Sequence, residues 1–227
     1  MRTLHPLQQK FHNLLRSLLQ KSDEEAITEI RNFRDKHEAD PYFPQIAKVI
    51  AHQEALYLSF TGEHDKSLAI YNSLVEEELK RENPDNYSIG VNYLSILKVL
   101  REAGREKEVK ALGKEILKKY TFDWGVNLSI FHDLILADSR VDLEPYREKT
   151  LEIERELELE LDPGMDLDEK LKLLKSENRR ANLAYTKIIL GNYEQQELIR
   201  RLREFADGES VGFYRNLAER NIESKCQ

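Results

Sequence analysis

Apolar residues recur three and four positions apart through almost the whole chain, and turn-forming residues cut these runs at short intervals. That period marks the buried stripe of an amphipathic helix. A chain written this way can hide its stripes only by packing many short helices on one another, so the expected class is all-α. The first stripe is Leu7, Phe11, Leu14, Leu15, Leu18 and Leu19. Ser22 and Glu25 then form a capping-box pair, in which each side chain can serve the other's backbone N–H. The helix they open carries Ala26, Ile27, Ile30 and Phe33, and stops before Asp40-Pro41.

The same reading places a helix from about Pro44 to Phe60, closed at Thr61-Gly62, and another over about 65–80. Asn83-Pro84-Asp85 breaks the chain. Helices follow over about 86–103, closed by Ala103-Gly104, and about 106–120. A further pair covers about 126–138 and Glu144-Pro145 onward, through the ELELELD run at 156–162. That run alternates as a strand would, but Leu and Glu are strong helix formers between helical neighbours, so it reads as helix. Asp162-Pro163-Gly164 is a turn, Asp166 caps a long helix to about Leu190, and Gly191 closes it. Two more helices, about 193–206 and 210–224, are separated by Asp207-Gly208. The expectation is eleven helices in a single domain over 1–227: hairpins at about 6–38, 44–80, 86–120, 126–161 and 167–207, then a capping helix over about 210–224.

Three segments share one grammar of helix, turn with Gly, and helix: AHQEALYLSFTGEHDKSLAIYNSL, NYLSILKVLREAGREKEVKALGKEIL and NLAYTKIILGNYEQQELIRRL. This resembles the tetratricopeptide repeat. Ala55 stands at its small position, Gly62 at its turn, and Ser67, Tyr71 and Leu74 along its second helix. In the second segment Tyr93, Ile96, Gly104 and Val109 match, while Gly113 departs at the aromatic position. In the third, Leu183, Ala184, Gly191 and Tyr193 match, but the second helix loses the pattern. Gly62 and Gly104 are 104 − 62 = 42 residues apart, longer than the usual 34. The resemblance implies a right-handed α-solenoid of stacked antiparallel hairpins, each covering its neighbour's apolar face. The phrase Gly90-Val91-Asn92 returns as Gly125-Val126-Asn127 after 35 residues and reads as a helix-entry signature of two adjacent repeats. Leu14, Phe33, Tyr71, Leu74, Ile96, Ile116, Phe131 and Leu183 are the expected core.

Arrays of this kind bind peptides or protein segments along the concave surface formed by the first helix of each hairpin. The resemblance therefore places a groove at His52, Leu56 and Ser59, then Leu94, Lys98 and Arg101, then Asp133, then Asn178, Asn182 and Tyr185. Asn side chains offer a donor and an acceptor to an extended backbone, and Lys98 and Arg101 offer charge to a carboxylate. The function expected is a non-enzymatic protein-interaction module. An alternative is a bacterial regulator or immunity-type inhibitor that masks one partner, because repeats of about 40 residues also resemble those of peptide-sensing regulators of Gram-positive bacteria. An enzyme on a helical scaffold is a third reading.

Charge and chemistry narrow these choices. Net charge is −7, which argues against general nucleic-acid binding. The charge is polarised: residues 144–169 hold 11 acids and 3 bases, or −8, and residues 170–203 hold 9 bases and 3 acids, or +6. Six histidines are scattered and one cysteine, Cys226, stands near the end, so neither zinc ligation nor a disulfide within the chain is expected. Phe131-His132-Asp133 holds a His-Asp step with no further His-rich element. No phosphate loop or nucleophile elbow is present. No cofactor is expected. No apolar run is long enough for a membrane span or signal peptide, and the expected location is the cytoplasm.

Overall fold

The computed structural model describes residues 4–138 and 140–226, apart from the side chain of Cys226. Among the described residues there are eleven α-helices, two short 3-10 turns and no strand, so the all-α class stands. The chain divides into two compact units, Met1–Thr121 and Phe122–Gln227.

The first unit contains α1 (Pro6–Leu18), α2 (Asp23–His37), α3 (Ala47–Phe60), α4 (His64–Leu79), α5 (Asn86–Glu102) and α6 (Glu106–Lys119). Each helix packs on the next, and α3 also touches α5 across α4. Pro6 opens α1, and His5 Nδ1 accepts the Leu7 N–H at 3.2 Å. At α2 the capping box forms as expected: Ser22 Oγ accepts the Glu25 N–H at 3.3 Å, and Glu25 accepts the Ser22 N–H at 3.0 Å. Both α3 and α5 end in the same way. Gly62 and Gly104 have φ of +80° and +69°, and the following residues donate back to Leu58 and Leu100 carbonyls. This left-handed cap satisfies carbonyls that the helix leaves open.

Between α3 and α4 the small residues meet: Ala55 is fully buried, and Ser67 Oγ donates to its carbonyl at 2.7 Å. Buried carboxylates pin successive helices. Glu54 of α3 accepts from Arg31 and Arg34 of α2, each at 2.7 Å. Glu78 of α4 accepts from Lys48 of α3 at 2.7 Å, from Arg81 at 3.0 Å and from the Asp85 N–H at 3.1 Å.

The second unit contains α7 (Trp124–Ala137), α8 (Arg147–Leu157), α9 (Leu167–Ile189), α10 (Gln195–Gly208) and α11 (Gly212–Cys226). Here the packing is not merely sequential. Helix α7 touches both α8 and α9, and α11 pairs with α10 while also reaching α8 and α9. The expected terminal cap is instead a helix packed among three others.

Several expectations are corrected. Tyr71, Leu74, Ile96, Ile116 and Phe131 are buried, but Leu14 and Phe33 are only partly so, and Leu183 is 54% exposed. Ala181, not Ala184, is the fully buried small residue of α9, so the register expected for that helix was displaced by one turn. Leu19 falls beyond the end of α1 and is exposed. The helix expected to run through 161 stops at Leu157. Glu158 takes a left-handed conformation, φ 49°, and residues 159–162 are irregular, neither helix nor strand. Glu158 is the left-handed cap of α8: its N–H donates to the Arg155 and Glu154 carbonyls and the Leu159 N–H returns to Glu154, while Asn216 of α11 donates to its side chain at 2.8 Å.

Gly208 does not separate the last two helices but ends α10. The break falls at Glu209, whose buried carboxylate accepts two bonds from Arg180 and the Val211 N–H. Gly191 serves close approach, not a left-handed cap: a Cβ there would lie 2.0 Å from the Tyr193 ring. The repeated Gly-Val-Asn phrase also sits differently in its two helices, with Gly90 five residues after the Asp85 cap and Gly125 two after the Asp123 cap. The shared device is the asparagine. Asn92 and Asn127 donate to the backbone carbonyls of Ser88 and Phe122, at 2.9 and 3.0 Å.

Candidate functional site

In the first unit the sequence-predicted residues do come together, on the adjoining helices α3 and α5. His52 and Ser59, however, turn inward. His52 lies edge-on to Tyr71 and is hydrogen-bonded to Asn92. Burial pushes its pKa down, and the Asn92 bond opposes that. Ser59 is 4% exposed and donates to Glu102 at 2.6 Å. Both side chains tie α3 to α5 and are not displayed.

The displayed strip lies beside them. On α3, Val49, Leu56 and Phe60 follow i, i+7, i+11 spacing, which returns to one face of a helix. On α5, Tyr87, Leu94, Lys98 and Arg101 follow i, i+7, i+11, i+14, again one face. Tyr87 is 64% exposed, and Val49 and Phe60 are each 49% exposed, while Leu56 and Leu94 are half-buried. Lys98 bridges the two rows: its ammonium lies 5.2 Å from the Phe60 ring centre and 3.7 Å from Glu102. Arg101 is half-buried one turn further on. Val49, Phe60 and Tyr87 were missed from sequence. The signal that finds them is the seven-and-four spacing of 49, 56 and 60 and of 87, 94 and 98.

In the second unit the remaining candidates are mostly engaged within the fold. Asp133 is buried on α7 and faces Lys175 of α9, whose Nζ donates to Ser129 Oγ at 2.7 Å. Burial lowers the Lys175 pKa, and Asp133 opposes that shift. Asn178 accepts from the Tyr214 hydroxyl at 2.8 Å, and the Tyr185 hydroxyl accepts from Asn221 at 2.6 Å. Both donors belong to α11, which occupies the surface these two residues would have offered. Asn182 is exposed, with its carbonyl bonded to Thr186 at 3.0 Å. The second unit thus keeps only Asn182 on an open surface.

Among the described residues no group of three or more His, Cys, Asp and Glu side chains is arranged to hold a metal ion. No helix among them is long and apolar enough to cross a membrane. No protein-family model, curated protein or solved structure matches the chain.

Proposed function

We propose that the chain is a non-enzymatic protein-interaction module, built on tetratricopeptide-like hairpins, that binds a peptide or protein segment along the α3/α5 strip of the first unit. The observation that carries this reading is the strip itself: three apolar side chains, Val49, Phe60 and Tyr87, are about half exposed or more on two adjoining helices beside Lys98 and Arg101. Exposed apolar side chains gathered on one surface mark interaction sites more often than scattered ones do. The matching left-handed caps of α3 and α5, and the Ala55–Ser67 close approach, support the repeat reading of this unit.

The chemistry of the strip favours a segment with apolar side chains and a carboxylate. The Lys98–Glu102 pair is long, within one helix and solvent-exposed, so it contributes little and exchanges readily for a ligand carboxylate. The Phe60 ring keeps the ammonium in place through the exchange.

The test is charge reversal, Lys98→Glu with Arg101→Glu. A captured partner should be lost while helical content by circular dichroism stays unchanged. A partner retained at full yield by the reversed protein would reject this site.

A further inference from the structure

The second unit holds an open cleft of about 940 Å³ that lies within the acidic belt of residues 144–169 and is bordered by Lys170 of α9 and Arg215 of α11. Its apolar lining is Leu151 of α8 with Leu159, Leu161 and Pro163 of the segment that follows. Leu151 is 41% exposed. Glu158 is held in a left-handed backbone conformation, which an L side chain adopts only when its surroundings enforce it. A Cβ on Gly212 would lie 2.5 Å from the Glu158 Cβ, so only glycine lets this turn seat against α11.

The charges in the cleft divide into used and unused. Lys170 is almost fully buried and bonds Glu154 at 3.4 Å, and Glu154 also accepts the Leu161 N–H at 3.3 Å. Arg215 lies 3.8 Å from Glu158. Arg155, exposed on the lining, donates to the Leu151 carbonyl at 3.3 Å and forms no ion pair among the described residues, so it is one unneutralised cation. Glu148 and Glu160, both exposed on the lining, have no cationic partner among the described residues. The surplus is acidic, and the belt around it carries −8.

We infer that this cleft docks a basic, apolar-anchored protein segment: an aliphatic side chain settles among Leu151, Leu159, Leu161 and Pro163, and flanking Lys or Arg side chains pair with Glu148 and Glu160. An acidic segment would face the belt's repulsion and find Lys170 and Arg215 already paired, with Arg155 alone to meet it against two unpaired carboxylates. A simple polycation would satisfy the carboxylates and leave the apolar lining wet. The inference is independent of the α3/α5 strip.

The test is fluorescence anisotropy on the full chain with a short labelled peptide of repeating Lys-Leu-Gln, beside Glu-Leu-Gln and Lys-Gln-Gln counterparts. The Lys-Leu-Gln peptide should bind at least about tenfold more tightly than either counterpart. The variant Glu148→Gln/Glu160→Gln should weaken it about five- to tenfold, as two rim ion pairs would. Leu151→Ser, a half-exposed position that leaves the core alone, should also weaken it. The control Glu76→Gln/Glu77→Gln, with the same charge change in the first unit, should leave it unchanged. The inference is overturned by no binding of Lys-Leu-Gln, by equal binding of Glu-Leu-Gln, by equal loss in the control variant, or by spermine displacing the peptide at equal concentration.

Discussion

Replacing Glu78 with Gln keeps shape and removes charge at a buried carboxylate of the first unit that accepts three bonds. Glu78 is 2% exposed and accepts from Lys48, Arg81 and the Asp85 N–H. These bonds, led by the one from Lys48, hold its pKa down at about 2, against an ordinary 4.5. The glutamine oxygen keeps one or two of the three donors, and its NH₂ must face another. Hydrogen bonds to a charged group are each worth about 1.5–3 kcal/mol. Lys48 and Arg81 are 40% and 56% exposed, so both heads can turn to water when the charge is gone. The expected cost is therefore about 2 kcal/mol, below the 3–5 of a fully enclosed pair.

The pH dependence has a definite sign. A carboxyl whose folded pKa is depressed stabilises the fold above its unfolded pKa and loses that contribution as pH falls through the folded value. The gap between wild type and Glu78→Gln should be complete above about pH 4.5 and should close as pH falls toward about 2. Urea unfolding of both proteins at a series of pH values from neutral to strongly acidic reads this directly. A gap under about 0.5 kcal/mol at neutral pH, the size of an ordinary surface change, would refute the reasoning. So would a gap that does not change with pH.

Further outcomes follow from other positions. Ala55→Leu should overpack the α3–α4 contact and cost about 1–3 kcal/mol, read as a lowered denaturation midpoint. Gly62→Ala, at φ +80° with open space around it, should cost about 1 kcal/mol from backbone strain alone. Gly208→Ala, at the last residue of α10 with nothing near its Cβ and no positive φ, should instead stabilise by about 0.5 kcal/mol; the two alanine variants moving the same way would refute the left-handed assignment. Phe60→Ala, on the displayed strip, should leave stability within about 0.5 kcal/mol of wild type, as exposed sites do, while weakening the captured partner.

The elements were legible where local chemistry alone decides them. The Ser22–Glu25 box and the Gly62 and Gly104 caps act within one turn of chain, so a single sequence carries them. The errors fall where a distant residue intervenes. Nothing near Glu158 says that Gly212 and Asn216 will seat it, and nothing near Gly208 says that Arg180 will draw the break to Glu209. The strip was half legible for the same reason. Leu56, Leu94, Lys98 and Arg101 follow from the register that the repeat resemblance implies, but that His52 and Ser59 turn toward Asn92 and Glu102 depends on how α3 lies against α5. In the second unit, Asn178 and Tyr185 had the composition of a binding face, and α11 takes it.

The central claim is that the α3/α5 strip binds a protein segment. Its most direct measurement is quantitative co-purification from native cells with tagged wild type, the Lys98→Glu/Arg101→Glu protein and the Glu148→Gln/Glu160→Gln protein side by side. The account predicts one stoichiometric partner that the strip variant loses and the cleft variant keeps. If no partner is lost by the strip variant alone, every captured protein being held equally by it and by wild type, the claim is contradicted.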